Sequence, residues 1–139
     1  MNLGGLEMIK KGIFHPQLLR VLGELRHRDM LVIGDAGLPI PKGVERVDLG
    51  WIEGEPSYLK VLSEIAKVIV VEDAIFANEA KEVSPEIHKE ALKLLPENVG
   101  LEYVDHSELK EISKDAKAII LTGEFTGYTN VILVCGCAY

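Results

Sequence analysis

Apolar residues recur along this chain at two spacings, and segments with the two spacings alternate. Leucines at positions 18, 19, 22 and 25 fall on one face of a helix that opens at His15-Pro16, where a proline costs nothing because first-turn N–H groups have no partner. Leu59, Leu62, Ile65 and Ala66 repeat this pattern in a second predicted helix, which begins at Pro56. Two further helices are predicted: Glu86–Leu95, with Ser84 as N-cap before Pro85, and the short charged helix Ser107–Ala116.

Short apolar runs between these helices predict the strands. They are Met30–Ile33, Val44–Leu49, Val68–Val71 continuing to Ile75, Val99–Val104, Ala118–Thr122 and Val131–Cys135. Continuous apolar strands that alternate with helices are typical of a parallel sheet covered on both faces. The pattern therefore predicts an α/β fold, a single-domain layered sandwich with a largely parallel central sheet, over residues 1–139. Residues 1–7 are a candidate N-terminal extension that the fold does not need, because Met8 could itself be a start.

Polar side chains lie next to several of the predicted strands. In such sheets ligands bind beyond the carboxyl ends of the strands, where Asp35 and the pair Asp105-His106 stand. His27 precedes the first strand, and Tyr128 and Asn130 precede the last. An imidazole can donate or accept a proton near neutral pH, and carboxylate, phenol and amide groups bind hydroxyl-rich ligands. Together they suit a small polyol or sugar that reacts through proton transfers.

Each of these residues also has an ordinary structural interpretation. His27 alone would be a solvated loop residue, Asp35 a turn former, and His106 a residue that flanks a helix N-terminus. Tyr128 and Asn130 fit a plain turn equally well. His15 and His88 are interpreted as structural, with His88 on a solvated helix face. Residue types and spacing alone therefore leave the sugar site as one of two interpretations.

Composition narrows the classes of partner. With 22 acidic and 15 basic residues the formal charge is −7, which disfavours binding to nucleic acid or to anionic membranes. The apolar fraction of 47% excludes a disordered chain. The mean hydropathy of +0.16 is high for a small charged chain, so part of the apolar content is expected to contact a partner subunit.

The chain lacks the common cofactor and metal signatures. It has no paired-histidine metal motif, no glycine-rich nucleotide loop and no GxSxG segment, so we expect neither a metal nor a cofactor. Cys135 and Cys137 are expected to be buried reduced thiols. The N-terminal residues have no apolar stretch typical of a secretion signal, and a cytoplasmic location is expected.

Several segments resemble one known family closely. Met8–Gly12, His27 and Leu31–Lys42, with Asp35-Ala-Gly-Leu-Pro-Ile-Pro41 as the most specific piece, are similar to the N-terminal half of the RbsD/FucU sugar mutarotases. Ile120–Glu124 and Gly127–Leu133 resemble the closing segment of that family. The similarity extends from about Met8 to Tyr139 and is stronger to the ribose branch than to the fucose branch.

The resemblance implies a function and a set of roles. It assigns His27 as the catalytic proton donor and Asp35, His106, Tyr128, Thr129 and Asn130 to sugar binding. The implied reaction interconverts the pyranose and furanose forms of D-ribose without metal or cofactor. The implied assembly is a homo-oligomer, a pentamer or decamer with sites at subunit contacts. The chain departs from the family at Arg26, since ribose-branch members usually have glycine before the catalytic histidine; sugar preference is therefore open.

Alternatives remain at this stage. Within the family, the alternative is L-fucose-type mutarotation, which inverts the anomeric centre without changing ring size. A non-catalytic ribose-binding accessory protein and a structural ring protein are the other two. Asp35 could orient His27 or hold a sugar hydroxyl, and His106 could act as the complementary base.

Overall fold

The structure is a computed structural model that describes residues 11–138; the candidate extension at residues 1–7 and the start of the family-like segment at Met8 lie outside them. Helices and strands alternate along the described chain. Their bounds are α1 Pro16–Glu24, β1 Met30–Gly34, β2 Glu45–Asp48, α2 Tyr58–Ala66, β3 Val71–Ala77, α3 Glu79–Val83, α4 Pro85–Lys93, β4 Gly100–Val104, α5 His106–Ile112, a 3₁₀ turn Ser113–Asp115, β5 Ala118–Leu121 and β6 Val131–Cys135.

All six strands form one sheet in the order β2-β5-β1-β6-β3-β4. The pairs β1–β5, β2–β5 and β3–β4 are parallel, while β6 lies antiparallel between β1 and β3. The predicted α/β fold with a largely parallel sheet is therefore confirmed. Five strands end at one side of the sheet, here called the carboxyl end, and β6 begins there. The opposite side is the amino end.

Helices cover both faces of the sheet. On one face α1, α2 and α4 pack through residues such as Val21, Leu62 and Ala91 against Leu31 and Ile33 of β1. On the other face Leu109 of α5 packs with Val32, also from β1. Because each fully buried aliphatic side chain contributes about 1.5–3 kcal/mol, a strand buried on both faces needs the uninterrupted apolar run seen in the sequence.

The residues at the helix N-termini explain why several predicted helix boundaries lie close to the observed ones. His15 caps α1, because its Nδ1 accepts from the Leu18 N–H at 3.2 Å. The second helix begins at Tyr58 and not at Pro56, with Ser57 as its N-cap, whose Oγ accepts from the Lys60 N–H at 3.1 Å. Ser84 stands at the N-cap position of α4, but its hydroxyl donates to the Ala80 carbonyl of the preceding helix α3 instead of capping. The predicted N-cap position is therefore confirmed, although the Ser84 side chain makes no capping hydrogen bond, and the short helix α3 was not predicted.

The strand predicted from Val68 begins three residues later, at Val71. Val68 still belongs to the turn that ends α2, because its N–H donates to the Ile65 carbonyl at 3.0 Å. Val68 and Val70 are 62% and 42% exposed, so a β-branched run alone did not mark a buried strand. The strand then continues beyond Ile75 to Ala77.

Two side-chain predictions were wrong. His88 is buried, not solvated: its Nε2 lies 2.7 Å from the Tyr103 hydroxyl and its ring packs edge-on against Phe76. Burial lowers the pKa of His88, since the apolar surroundings disfavour the imidazolium. Cys135 is buried and burial raises its pKa to about 11, whereas Cys137 is exposed; neither forms a disulfide. No helix within residues 11–138 has the length and apolar content to cross a bilayer.

Candidate functional site

Four of the predicted site residues meet at the carboxyl end of the sheet. Asp35 follows β1, His106 is the first residue of α5 after β4, and Tyr128 and Asn130 precede β6. Because Ile33 pairs with Val131, the loop before β6 lies beside Asp35. The Asp35 N–H donates to Asn130 Oδ1 at 2.9 Å, and the His106 and Tyr128 rings meet edge-on at 5.0 Å. Asp35, His106, Tyr128 and Asn130 are called the carboxyl-end cluster.

Asp35 is a partly desolvated carboxyl group in a turn. Its Oδ1 accepts from the Gly37 N–H at 2.9 Å, so the residue is a turn former as well as a site candidate. Burial raises the pKa of Asp35, although hydrogen bonding from Gly37, the nearby Asn130 side chain and the charge of His106 oppose that rise. A carboxylate with reduced access to water is a strong acceptor for ligand hydroxyl groups.

Asn130 is fully buried and only half of its amide is paired. Its Oδ1 must be the atom that accepts from the Asp35 N–H, which leaves Nδ2 as the free end of the amide. Asn130 Nδ2 is close enough to the Asp35 carboxyl to lower its pKa, but no acceptor within residues 11–138 meets Nδ2 in hydrogen-bond geometry. Leaving a buried donor unpaired costs about 1–3 kcal/mol, so a ligand acceptor at this position would recover that cost.

Gly34 leaves the space that this arrangement needs. A Cβ on Gly34 would lie 2.5 Å from Leu38 Cδ2 and 2.8 Å from Asn130 Oδ1. Both distances are too short for real carbon contacts. The glycine at the end of β1 therefore allows the Asn130 amide to reach the Asp35 backbone.

His106 presents a second unpaired buried atom. Its backbone N–H donates to Glu79 Oε1 at 3.0 Å, so Glu79 caps α5 and positions the residue. The ring Nδ1 is buried and has no partner in the part of the chain that the structure describes. Asp105, which also follows β4, accepts from Asn78 Nδ2 at 3.0 Å and is exposed.

The loop before β6 has a defined shape. Tyr128 has φ of +63°, a left-handed conformation that non-glycine residues seldom adopt. Thr129 is buried and its hydroxyl donates to the Thr126 carbonyl at 2.8 Å, so this predicted sugar-binding residue holds the loop together. Left-handed backbone conformations of non-glycine residues, like that of Tyr128, are found preferentially at ligand sites.

Sequence reasoning assigned no role to Glu124, which connects three segments of the site. Its carbonyl accepts from the Ala36 N–H at 2.8 Å, and Oε1 accepts from the Tyr58 N–H at 3.2 Å. Its Oε2 accepts from the Thr126 hydroxyl at 2.8 Å. The sequence did contain a signal for Glu124: it is a carboxylate that follows an apolar strand, within the family-like segment Ile120–Glu124.

His27 lies at the opposite end of the sheet. It precedes β1, is exposed, and its Nε2 lies 3.1 Å from Glu72 Oε2. The strand between His27 and Asp35 alone spans roughly 13 Å at about 3.3 Å per residue. Within one chain, therefore, the structure does not bring the expected proton donor to the carboxyl-end cluster.

No group of three or more His, Cys, Asp and Glu side chains in residues 11–138 is arranged to hold a metal ion. The carboxyl-end cluster contains groups that form hydrogen bonds and transfer protons. A partly desolvated carboxyl, an imidazole and an amide lie together, and groups of these three kinds form hydrogen bonds with hydroxyl groups.

Comparison with known proteins places this chain in one family. The model of the RbsD / FucU transport protein family matches residues 8–138. The chain belongs to this family.

Relatives with assigned activities match nearly the whole chain. D-ribose pyranase of Streptococcus uberis is 43% identical over 129 residues, which cover 93% of this chain and 98% of that protein. The structure of Bacillus subtilis RbsD complexed with D-ribose is 41% identical with a TM-score of 0.90, covering 95% of this chain and 100% of the other. FucU from Bifidobacterium longum is 25% identical with a TM-score of 0.75, covering 91% and 97%.

Proposed function

We propose that this protein is a D-ribose pyranase, an isomerase that interconverts the pyranose and furanose forms of D-ribose. The observation that carries the proposal is the pair of buried unpartnered atoms, Asn130 Nδ2 and His106 Nδ1, beside the desolvated Asp35 carboxyl. The nature of the sugar is supported by relatives more than 40% identical, among them a protein that was solved with D-ribose.

In this proposal the carboxyl-end cluster binds the sugar. Asp35 accepts hydrogen bonds from sugar hydroxyls, and Asn130 Nδ2 donates to a sugar oxygen. Tyr128 offers its phenol, and Thr129 contributes mainly by holding the loop, since its hydroxyl already donates to Thr126. His106 contacts the anomeric hydroxyl through its free Nδ1.

Ring opening needs two coupled proton transfers, and ring closure needs two more in the reverse sense. The bond between C1 and the ring oxygen breaks, its electron pair goes to that oxygen, and His27 delivers a proton there. The anomeric hydroxyl loses its proton to His106, so that C1 becomes an aldehyde. When the C4 hydroxyl instead of the C5 hydroxyl adds to C1 and the protons return, the five-membered ring forms with no net oxidation or reduction.

His27 reaches this site from a neighbouring subunit in the proposed assembly. A homo-oligomer, pentameric or decameric, would place the amino end of one subunit against the carboxyl end of the next. The position of His27 at the far end of its own sheet supports this arrangement. Large apolar side chains on the surface of the single chain also support an oligomer: Phe14 and Trp51 are each 77% exposed, and Phe125 is 66% exposed. A cytoplasmic location is part of the proposal.

Two other functions make different predictions. L-fucose mutarotation is disfavoured by the identity, 25% to a FucU protein against 41% to RbsD. A non-catalytic role in ribose uptake is suggested by the description of the family as transport proteins. Such an accessory protein would bind ribose without changing its rate of ring exchange.

Saturation-transfer NMR on D-ribose tests the proposal directly. The wild-type protein should accelerate exchange between pyranose and furanose, and His27→Ala should lower that rate by about 10²–10⁴-fold, the usual contribution of a positioned acid. L-fucose in a parallel sample is the substrate control. Binding of ribose without faster exchange would favour the accessory role, and faster exchange of L-fucose alone would favour the fucose branch.

A further inference from the structure

Glu72 and Asp73 are adjacent carboxylates in the otherwise apolar strand β3, and the proposed chemistry gives neither a role. Val71 pairs with Cys135 while Asp73 pairs with Val134, so Glu72 is the extra residue of a β-bulge. In a regular strand their side chains would point to opposite faces. Here both lie at Arg28, whose Nη1 is 2.9 Å from Asp73 Oδ2 and 3.6 Å from Glu72 Oε2. The bulge therefore redirects Glu72 towards the segment that carries His27.

The backbone around His27 is fixed against the end of β6. The Arg28 N–H donates to the Cys135 carbonyl at 2.8 Å, and the Cys135 N–H donates to the Asp29 carbonyl at 2.9 Å. Arg28 has φ of +73°, so the chain turns sharply directly after His27. His27 thus stands on a rigid turn, and the orientation of its ring depends on what its nitrogens contact.

Glu72 supplies that contact. Its Oε2 lies 3.1 Å from His27 Nε2, and an ionised carboxylate can only accept, so Nε2 carries the hydrogen. Nδ1 is then the nitrogen left for a ligand. Gly136 keeps the space open, because a Cβ there would lie 3.3 Å from Glu72 Cβ and 3.1 Å from Val70 Cγ1.

We propose that Glu72 is a positioning residue for His27: it holds the imidazole by Nε2–H, so that Nδ1–H faces the sugar and delivers the proton. The inference rests on the proposed function, with His27 as the acid. In the single protein chain the contact between His27 and Glu72 is exposed to water and contributes little to stability. In a site closed by sugar and a second subunit it becomes shielded, and its effect on the ring is correspondingly larger.

The test compares Glu72→Ala, Glu72→Gln and Asp73→Asn with wild type in the ribose exchange assay, on the assembled protein. Glu72→Ala removes both the acceptor and the charge, and we expect kcat to fall about tenfold with KM within twofold of wild type, as when a histidine loses a carboxylate partner. Glu72→Gln keeps an acceptor but loses the charge, so its kcat should be intermediate. Asp73→Asn is the matched control from the same bulge, and its kcat should stay within about twofold.

The split between kcat and KM separates positioning from a structural effect, because a misplaced acid lowers kcat while ribose binding is retained. Asp73→Asn should change neither kcat nor KM by more than about twofold.

Three results would overturn the inference. The first is unchanged kcat in both Glu72 variants while His27→Ala stays inactive, a result that leaves the proposed function intact. Equal losses in Asp73→Asn and Glu72→Ala would assign the effect to the bulge, and a raised KM without a loss of kcat would assign Glu72 to binding. If the wild-type protein does not accelerate ribose exchange at all, the proposed function itself has failed.

Discussion

The two ends of the sheet differ in the burial and the hydrogen bonding of their polar side chains. At the carboxyl end, Asp35, His106 and Asn130 are drawn out of water, and two of their polar atoms have no partner within residues 11–138. At the amino end, His27, Arg28 and Glu72 are exposed and paired with one another. The carboxyl end therefore has buried polar atoms that lack a partner, whereas the polar groups of the amino end already pair with one another. In the proposed function both ends belong to one site, and His27 is too far from the carboxyl-end cluster for a single chain to form that site alone.

The strongest way to test this comparison is to inactivate each end in a different chain. His27→Ala and His106→Ala should each be nearly inactive. If a site takes His27 from one subunit and His106 from the next, mixing equal amounts, unfolding and reassembling them should restore activity to about a quarter of the wild-type value, because a quarter of the sites contain both histidines. Exchange NMR on D-ribose measures the recovery.

The matched control for this experiment is each variant taken alone through the same unfolding and reassembly. Activity of the mixture no greater than the average of the two controls would mean that both histidines act within one chain, which contradicts the shared site.

A smaller effect is expected from the glycine that shapes the carboxyl end. Gly34→Ala places a methyl group against Leu38 and Asn130, so it should lower the free energy of unfolding by about 1–3 kcal/mol and weaken ribose binding. Gly23→Ala in α1 is the control, because no atom lies within 4 Å of its Cβ position; it should raise stability by up to about 1 kcal/mol. Urea unfolding and ribose titration compare the two. Equal ribose affinity in both variants would show that Asn130 does not need its present position.

The smallest effect concerns the charge of Asp35. Burial raises its pKa, so the folded state favours the protonated carboxyl and loses stability as pH rises through that pKa. Asp35→Asn removes this loss, and we expect it to be more stable than wild type at pH 7 by less than about 1 kcal/mol, with ribose exchange severely impaired. The stability difference should disappear as the pH is lowered towards about 3, where wild-type Asp35 is also neutral.

Urea unfolding at the two pH values measures this difference. Asp73→Asn, at the exposed amino end, is the control, and it should change stability by less than about 1 kcal/mol at either pH. A loss of stability in Asp35→Asn at pH 7 would mean that hydrogen bonds to the carboxylate outweigh its desolvation.

Local patterns were sufficient for most secondary structure. β6 has the predicted bounds Val131–Cys135, and α1 begins at the predicted Pro16, because apolar spacing and capping act between residues close in sequence. Where longer-range contacts decide, the predictions failed. His88 shows a polar pattern of neighbours, yet Phe76 and Tyr103 from two strands bury it. Ser84 stands at the predicted N-cap, but its hydroxyl donates to the Ala80 carbonyl four residues earlier, so a local alternative replaced the capping hydrogen bond.

The sequence by itself determined which residues are available for chemistry and which segments become helices and strands. Asp35, His106, Tyr128 and Asn130 were selected from strand ends and residue types alone. Only the tertiary structure decided their arrangement, because strand order and direction come from pairings between residues far apart in the chain. The insertion of β6 between β1 and β3 brings Asn130 to Asp35. The same sheet leaves His27 at the other end, beside a carboxylate that a bulge turns towards it.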